Sequence, residues 1–417
     1  MFAQFWKSEG GNFAIITGIV IIPLMAAVAA AVDYTTALNK AGQLQNSLDA
    51  SALAIATAYD LGMTDEELTL LGKHYYDSDM VGVSSSSSSE DEFEYVDELS
   101  SDLVALASGT GDEIFITASS AITHQGVLGA LDWPLTRRSV AKIKRGPLAC
   151  VLALDPAAAS AIKIQGSTDV ALTGCVIAAN SKSSSAVYRG GAALLSAGCI
   201  NTVGGTSGIS SSSNVDLECP APLENQYPSF DPLKGVQPPK DGIFASCGGV
   251  VPGGKKKTLD PGKYCNKSFS GEITLNPGSY VLDGGKINLG GNGTMKGTGV
   301  TIFLLGDAEF SVNGNELVQL TPPTSGTYAG ITIFQEKSNT KTVSINGTSG
   351  SYVNGFVYAP GAHIFYAGNA AATASTKCLR MVGNTVEMTG NSDMKSDCSA
   401  ELGGREMYAS RFLSIVK

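Results

Sequence analysis

From Phe13 to Val32 the chain carries no Asp, Glu, Lys or Arg, and this stretch limits what the chain can fold into more than any other. A helix rising about 1.5 Å per residue over about 20 apolar residues covers roughly 30 Å, the thickness of a bilayer's hydrocarbon core. Its bulky members are Phe13, Ile15, Ile16, Ile19, Val20, Ile21, Ile22, Leu24, Val28 and Val32, with Pro23 in the middle. Membrane helices tolerate such a proline because neighbouring groups re-satisfy the freed carbonyl. Residues 1–33 therefore read as a leader and transmembrane anchor. No turn signal follows. Leu38, Ala41, Gln45, Leu48, Ala52, Ile55 and Tyr59 recur at spacings of three and four, one stripe on one helix face, until Gly62. Residues 34–80 read as an amphipathic helical region. Its stripe packs on the chain itself or on a partner helix.

Two other fates of the N-terminus compete with a permanent anchor. Ala27 and Ala29 offer the small-x-small pattern of a signal peptidase site. The leader opposes that reading, because Lys7 is offset by Glu9 and the apolar run is longer than an ordinary signal core. Prepilin-type trimming places a glutamate five residues after a glycine; counted from Gly11, Ile16 stands there.

Glu9, Gly11 and Asn12 ahead of the apolar span, "VDY" at Val32 to Tyr34 and "LQNSLDASALA" at Leu44 to Ala54 closely resemble the N-terminal module of TadG-like proteins of the tight-adherence (Tad/Flp) pilus system. The resemblance is close over about the first 60 residues and looser beyond. It implies a cell-envelope protein held by an uncleaved inner-membrane helix, single-pass, with its bulk periplasmic or otherwise extracytoplasmic, and with other Tad/Flp pilus components as partners. Some longer TadG-like proteins carry a von Willebrand type A domain, whose metal site begins D-x-S-x-S. Here "LDPAAAS" has Asp155 but Ala157 and Ala159 where the two serines belong, so Asp155 is given no metal role.

All eight cysteines, Cys150, Cys175, Cys199, Cys219, Cys247, Cys265, Cys378 and Cys398, follow residue 145. In an exported chain an even number reads as a disulfide framework, and eight cysteines allow 105 pairings. The expectation adopted is local stapling: Cys150 with Cys175, Cys199 with Cys219, Cys247 with Cys265, Cys378 with Cys398. The alternative is buried reduced thiols. No C-x-x-C spacing suggests zinc.

The acidic residues from Asp60 to Asp102, where Lys73 is the one basic side chain, more than account for the net charge of −10. They bracket the serine run at Ser84 to Ser89, which reads as a solvated linker. "EDEFEYVDE" lacks the glycine and alternating ligands of a calcium loop. An overall pI near 4.9 argues against nucleic acid. Residues 81–145 read as this linker followed by a small strand-containing module, with "DEIFITASSAI" (Asp112 to Ile122) and "RSVAKIKR" (Arg138 to Arg145) as its strands.

Beyond Gly146 the texture turns to Gly, Ser, Thr, Asn and Val. "LDPGKY" at Leu259 and "LNPGSY" at Leu275 repeat one unit; "GVTIF" at Gly299 and "GITIF" at Gly330 repeat another, and "GFVYAPGA" follows at Gly355. Approximate repetition of strand and turn suggests stacked coils, with Gly or Asn at the corners. The expected fold of 146–417 is a disulfide-stapled parallel β-helix; sandwiches and barrels stay open. The sequon-like Asn266, Asn292 and Asn346 read as turns. Asp283, Asp307, Glu309 and Glu316 are scattered rather than paired as glycosidic chemistry requires. His74, His124 and His363 sit in no hydrolase or zincin motif. The expectation is a non-enzymatic envelope protein with no cofactor, no metal and no catalytic residue. The competing class is a secreted or surface adhesin that binds polysaccharide and has a cleaved N-terminus.

Overall fold

The computed structural model describes residues 10–59, 63, 65–81, 103–110, 113–126, 132–209, 214–348, 350–369, 378–395, 398 and 400–416. The chain divides into two compact units, residues 1–144 with 412–417, and residues 145–411.

In the first unit α1 (Gly10–Ala58) runs through Pro23 without interruption. The helix α2 (Asp65–Val81) opens with Asp65, Glu66 and Glu67, whose charges complement the positive end of the helix dipole. Three strands follow, β1 (Val104–Thr110), β2 (Glu113–Gln125) and β3 (Asp132–Arg145), and the C-terminal strand Arg411–Val416 joins β3 to complete an antiparallel-centred sheet in the order β1, β2, β3, C-terminal strand. Ile114, Ile116 and Ala118 of β2 alternate inward as period-two patterning dictates. They meet Ala141 and Ile143 of β3, and Leu44, Leu48, Ala52 and Ile55 of α1 with Leu68 and Tyr76 of α2. The helices approach closely where Gly72 faces Ile55; a Cβ there would lie 2.5 Å from the Ile55 side chain.

Several sequence expectations shift here. Within the stripe, Ala41, Leu48, Ala52 and Ile55 are buried, whereas Leu38 is 51 % exposed and Gln45 and Tyr59 sit at the rim. Ala37 and Leu44 occupy the buried positions instead, because the helix's true 3.6-residue period turns the face away from a strict alternation of threes and fours. The acidic, serine-rich linker at 82–102 lies outside the described residues. β1, whose two β-branched residues Val104 and Thr110 stand at its ends, had no pattern to announce it. The expected 146–417 domain also overruns at its end, since 412–416 return to the first unit's sheet, with Leu413 and Ile415 turned to its core.

The second unit is mainly β and its strands pair in parallel. In one row the pairing runs Lys263, Val281, Phe303, Phe334, Tyr358, Val382, Leu152, Ala178, Asn201. A neighbouring column of the same row, Tyr280, Ile302, Ile333, Val357, Met381, Val151, Ile177 and Ile200, faces the opposite way into the main core. A second row repeats the order through Phe269, Ile287, Phe310, Val343, Ile364, Val386, Ile162 and Val187, all in that same core. A third set includes Ile273 with Met295 and Val318, and separately Val170 with Leu195.

Each repeat seen in the sequence marks neighbouring levels. Tyr264 and Tyr280 of the two L-x-P-G-x-Y units stack with centroids 6.1 Å apart, and the Tyr280 hydroxyl donates to the Leu259 and Asn276 carbonyls at 2.7 Å. Ile302 and Phe303 pair with Ile333 and Phe334. Corners between rows require left-handed backbone: Asn266 (φ 50°) on one level and Gly284 (φ 68°) and Gly285 (φ 83°) on the next. A Cβ on Gly285 would sit 2.1 Å from the Lys267 carbonyl oxygen. Gly285→Ala is therefore expected to destabilise the second unit by about 1–3 kcal/mol or more, read as a lowered midpoint in denaturant; an unchanged midpoint would contradict the corner. Asn292 lies in a turn, but Asn346 ends the strand Val343–Asn346.

The order of levels is not the order of the chain. Strands 149–217 continue the stack beyond 379–395, so the chain leaving Leu217 must reappear at the far end, near Gly262. At about 4.8 Å per strand that is a return of roughly 40 Å. Residues 218–255 make it along the outer side of the first row. Leu223 bridges to Asn201, Ser229 N donates to Asn180 Oδ1 at 2.7 Å, and Asp231 accepts from Tyr358 at 2.8 Å. Further down, Gln237 O accepts from Tyr328 at 3.0 Å and Gly249 N donates to Lys263 O at 2.8 Å. This strap, through Leu233 and Val236, and the segment bearing Leu402, Met407 and Ala409 bury the outward column as a second core. That is why Ala149–Ala153 and Ile331–Gln335 are buried on both faces.

Candidate functional site

The candidate functional surfaces are the apolar helix and the faces of the second unit. Within α1 the stretch from Thr17 onward is long and apolar enough to cross a membrane, and little of it is buried in the fold. Ile19, Val20, Ile21, Ile22, Leu24, Val28 and Val32 all point outward, Ile22 being 71 % exposed. Phe13, Ile15 and Ile16 lie in the same helix, their side chains outside the described residues. Burial starts abruptly at Asp33 and Ala37, followed by Ala41 and Leu44. Thr36 Oγ1 lies 3.2 Å from His124 Nε2 on β2, and Gln45 Nε2 donates to Arg138 O at 3.3 Å on β3. One continuous helix thus presents an apolar exterior over its first half and a packed face over its second.

Among the carboxylates singled out in the sequence, Asp283, Glu316 and Asp155 have side-chain partners in the second unit. Asp283 pairs with Lys263 Nζ at 2.9 Å. Glu316 is fully buried and accepts from the Gly290 and Asn313 amides at 2.6 and 2.8 Å, capping two turns. Asp155 accepts from the Ala157 and Ala158 amides and from Asn384 Nδ2. Burial works against its charge, but these hydrogen bonds outweigh it and hold its carboxyl below the usual range. Glu309 pairs in register with Lys286. His363 Nδ1 meets Thr385 Oγ1 at 2.8 Å, beside Glu387, which accepts from Gln165 at 2.6 Å and lies 3.6 Å from Lys163. Burial pushes the His363 imidazole below its ordinary pKa. Among the described residues no group of three or more His, Cys, Asp or Glu side chains could hold a metal ion.

The disulfides are Cys150–Cys175, Cys199–Cys219, Cys247–Cys265 and Cys378–Cys398, the locally stapled set, all in the second unit. Cys219 and Cys247 lie at the two ends of the strap and tie it to opposite ends of the stack. Sequence reasoning missed this strap. Its prolines, Pro220, Pro222, Pro228, Pro232, Pro238, Pro239 and Pro252, were the available signal, since proline lacks the amide a sheet interior requires. It also missed Arg380, 2 % exposed, whose guanidinium lies 3.4 Å from Cys150 Sγ and donates to Leu379 O; burial lowers its pKa to about 10.

Asp231 marks the middle of the strap. Burial raises its carboxyl pKa above 3.8, although the Tyr358 hydroxyl and the Leu233 amide both donate to it. A raised folded-state pKa contributes stability that is present below the unfolded value and lost as pH rises through the folded one. Stability is expected to fall from pH 3.8 upward across that window, by up to about 1.4 kcal/mol per pH unit, and Asp231→Asn removes this part of the slope. Denaturant titrations of both proteins at several pH values check it; parallel profiles would contradict it.

With this geometry in place, the chain is defined by one long apolar N-terminal helix followed by a mainly β, disulfide-bonded body. Residues 11–58 match the Tad family, described as Flp pilus-assembly TadE/G-like, and the match ends where α1 ends. The N-terminal segment resembles a TadE/G-like module. No curated protein and no solved structure matches the chain.

Proposed function

We propose that this is a non-enzymatic cell-envelope protein of a Tad/Flp pilus system. In this reading α1 crosses the inner membrane once and is retained, the bulk of the chain is periplasmic or otherwise extracytoplasmic, and the second unit is a parallel β-helix. That body offers a rigid face to other pilus components. The observation that carries the reading is the coincidence of the TadE/G-like match, residues 11–58, with a helix whose first half is apolar and outward-facing. Four disulfides support an oxidising compartment. The stacked repeats and in-register parallel rows support the β-helix.

The module's role is tested by exchanging residues 11–58 for an unrelated single-pass helix of equal length and purifying both proteins from gentle detergent. Tad membrane components are expected with the native chain and lost from the exchange. Equal recovery would show that the helix is only an anchor.

A further inference from the structure

The β2–β3 hairpin ends beside the point where α1 leaves its apolar stretch. His124 and Trp133 are register partners in that hairpin, and His124 touches Thr36; further along, Ser119 pairs with Arg138, whose carbonyl meets Gln45. From Thr36 to Gln45 the helix rises about 14 Å, and from Trp133 to Arg138 the strand covers about 17 Å. The strands therefore run alongside the helix with the hairpin end directed at the apolar segment. Val32 lies about 6 Å below Thr36. Gln125 with its partner Asp132 is one strand step below His124, and Gly126 two steps, about 7 Å. The hairpin end stands level with the last residue of the span.

The side chains at that level suit a water–lipid boundary. Trp133 is half-buried, and on α1 Val32, Tyr34 and Leu38 are exposed around this level, Tyr34 by 54 %. Tryptophan and tyrosine prefer the headgroup region, where an apolar ring and a polar edge are both accommodated. The first cations along β3, Arg137 and Arg138, come about 13–17 Å higher.

We propose that the end of the β2–β3 hairpin, at Trp133, rests in the phospholipid headgroup layer, a second membrane contact that fixes the tilt of the first unit on its anchor. The proposal rests on the anchored reading above.

The chain has two tryptophans, so Trp6→Phe leaves Trp133 as the single indole of the full-length protein. That protein is reconstituted in phosphatidylcholine and phosphatidylglycerol vesicles whose acyl chains carry bromine near the headgroup or near the bilayer centre. Trp133 emission is expected to drop with the shallow label and less with the deep one. A companion protein, Trp6→Phe, Trp133→Phe, Ile22→Trp, reports the anchor and is expected to be quenched most by the deep label. If the Ile22→Trp protein is quenched while Trp133 is indifferent to both labels, the hairpin contact is wrong and the anchor stands. If neither responds, both readings fall.

Discussion

Replacing Ile22 by arginine is expected to release the chain from membranes. Ile22 lies near the centre of the apolar stretch and is 71 % exposed on α1. A basic residue at the centre of a membrane helix costs about 2.5–3.5 kcal/mol, a shift of roughly 60- to 300-fold in the insertion equilibrium at 1.4 kcal/mol per decade. The measurement is the fraction of protein retained in carbonate-washed membranes. Leu38→Arg is the control: Leu38 is also exposed on the same helix, at 51 %, but lies beyond the span, and retention is expected to be unchanged. Equal retention of Ile22→Arg would mean that the apolar exterior of α1 is covered by protein rather than lipid.

The second large effect is expected from freeing the strap. Changing Cys199, Cys219, Cys247 and Cys265 together to alanine removes both ties between residues 218–255 and the ends of the stack. Each native disulfide contributes typically about 2–4 kcal/mol, so the pair is worth several kcal/mol, and losing one alone leaves the other end closed. The strap also covers Phe303, Phe334 and Tyr358, whose rings pack at 4.8–5.6 Å. Its release exposes that apolar column to water. The expected readouts are a lowered melting temperature and new protease cleavage between 219 and 247, stronger in the quadruple variant than in either double one. Cleavage elsewhere, with the strap still protected, would contradict its role as a closing element.

What the sequence made legible was local. The uncharged run from Phe13 to Val32 announces its exterior, because nothing in it prefers water. The L-x-P-G-x-Y units announce neighbouring levels, because their tyrosines stack directly on one another. Cys150 in the strand Ala149–Ala153 and Cys175 just ahead of its pairing strand Val176–Ala179 fall on adjacent levels, so local pairing and the observed bond agree. The order of levels was not legible. Val382 pairs with Leu152, and nothing in either strand records the choice, since a parallel edge accepts any strand whose apolar residues alternate to match. The outward column Val281, Phe303, Phe334 and Tyr358 reads as ordinary strand apolarity until the strap that covers it is seen. In the first unit, the closing strand from Arg411 to Val416 escaped because a short alternating segment at a chain end carries no sign of a partner nearly 270 residues earlier.

The central claim is that α1 remains on the chain as its membrane anchor. Mass spectrometry of the N-terminal peptide from membranes, sheared pili and culture medium tests it most directly. The account predicts residues before Phe13 intact and confined to the membrane fraction; a new terminus near Ala30, recovered from the medium, would contradict it.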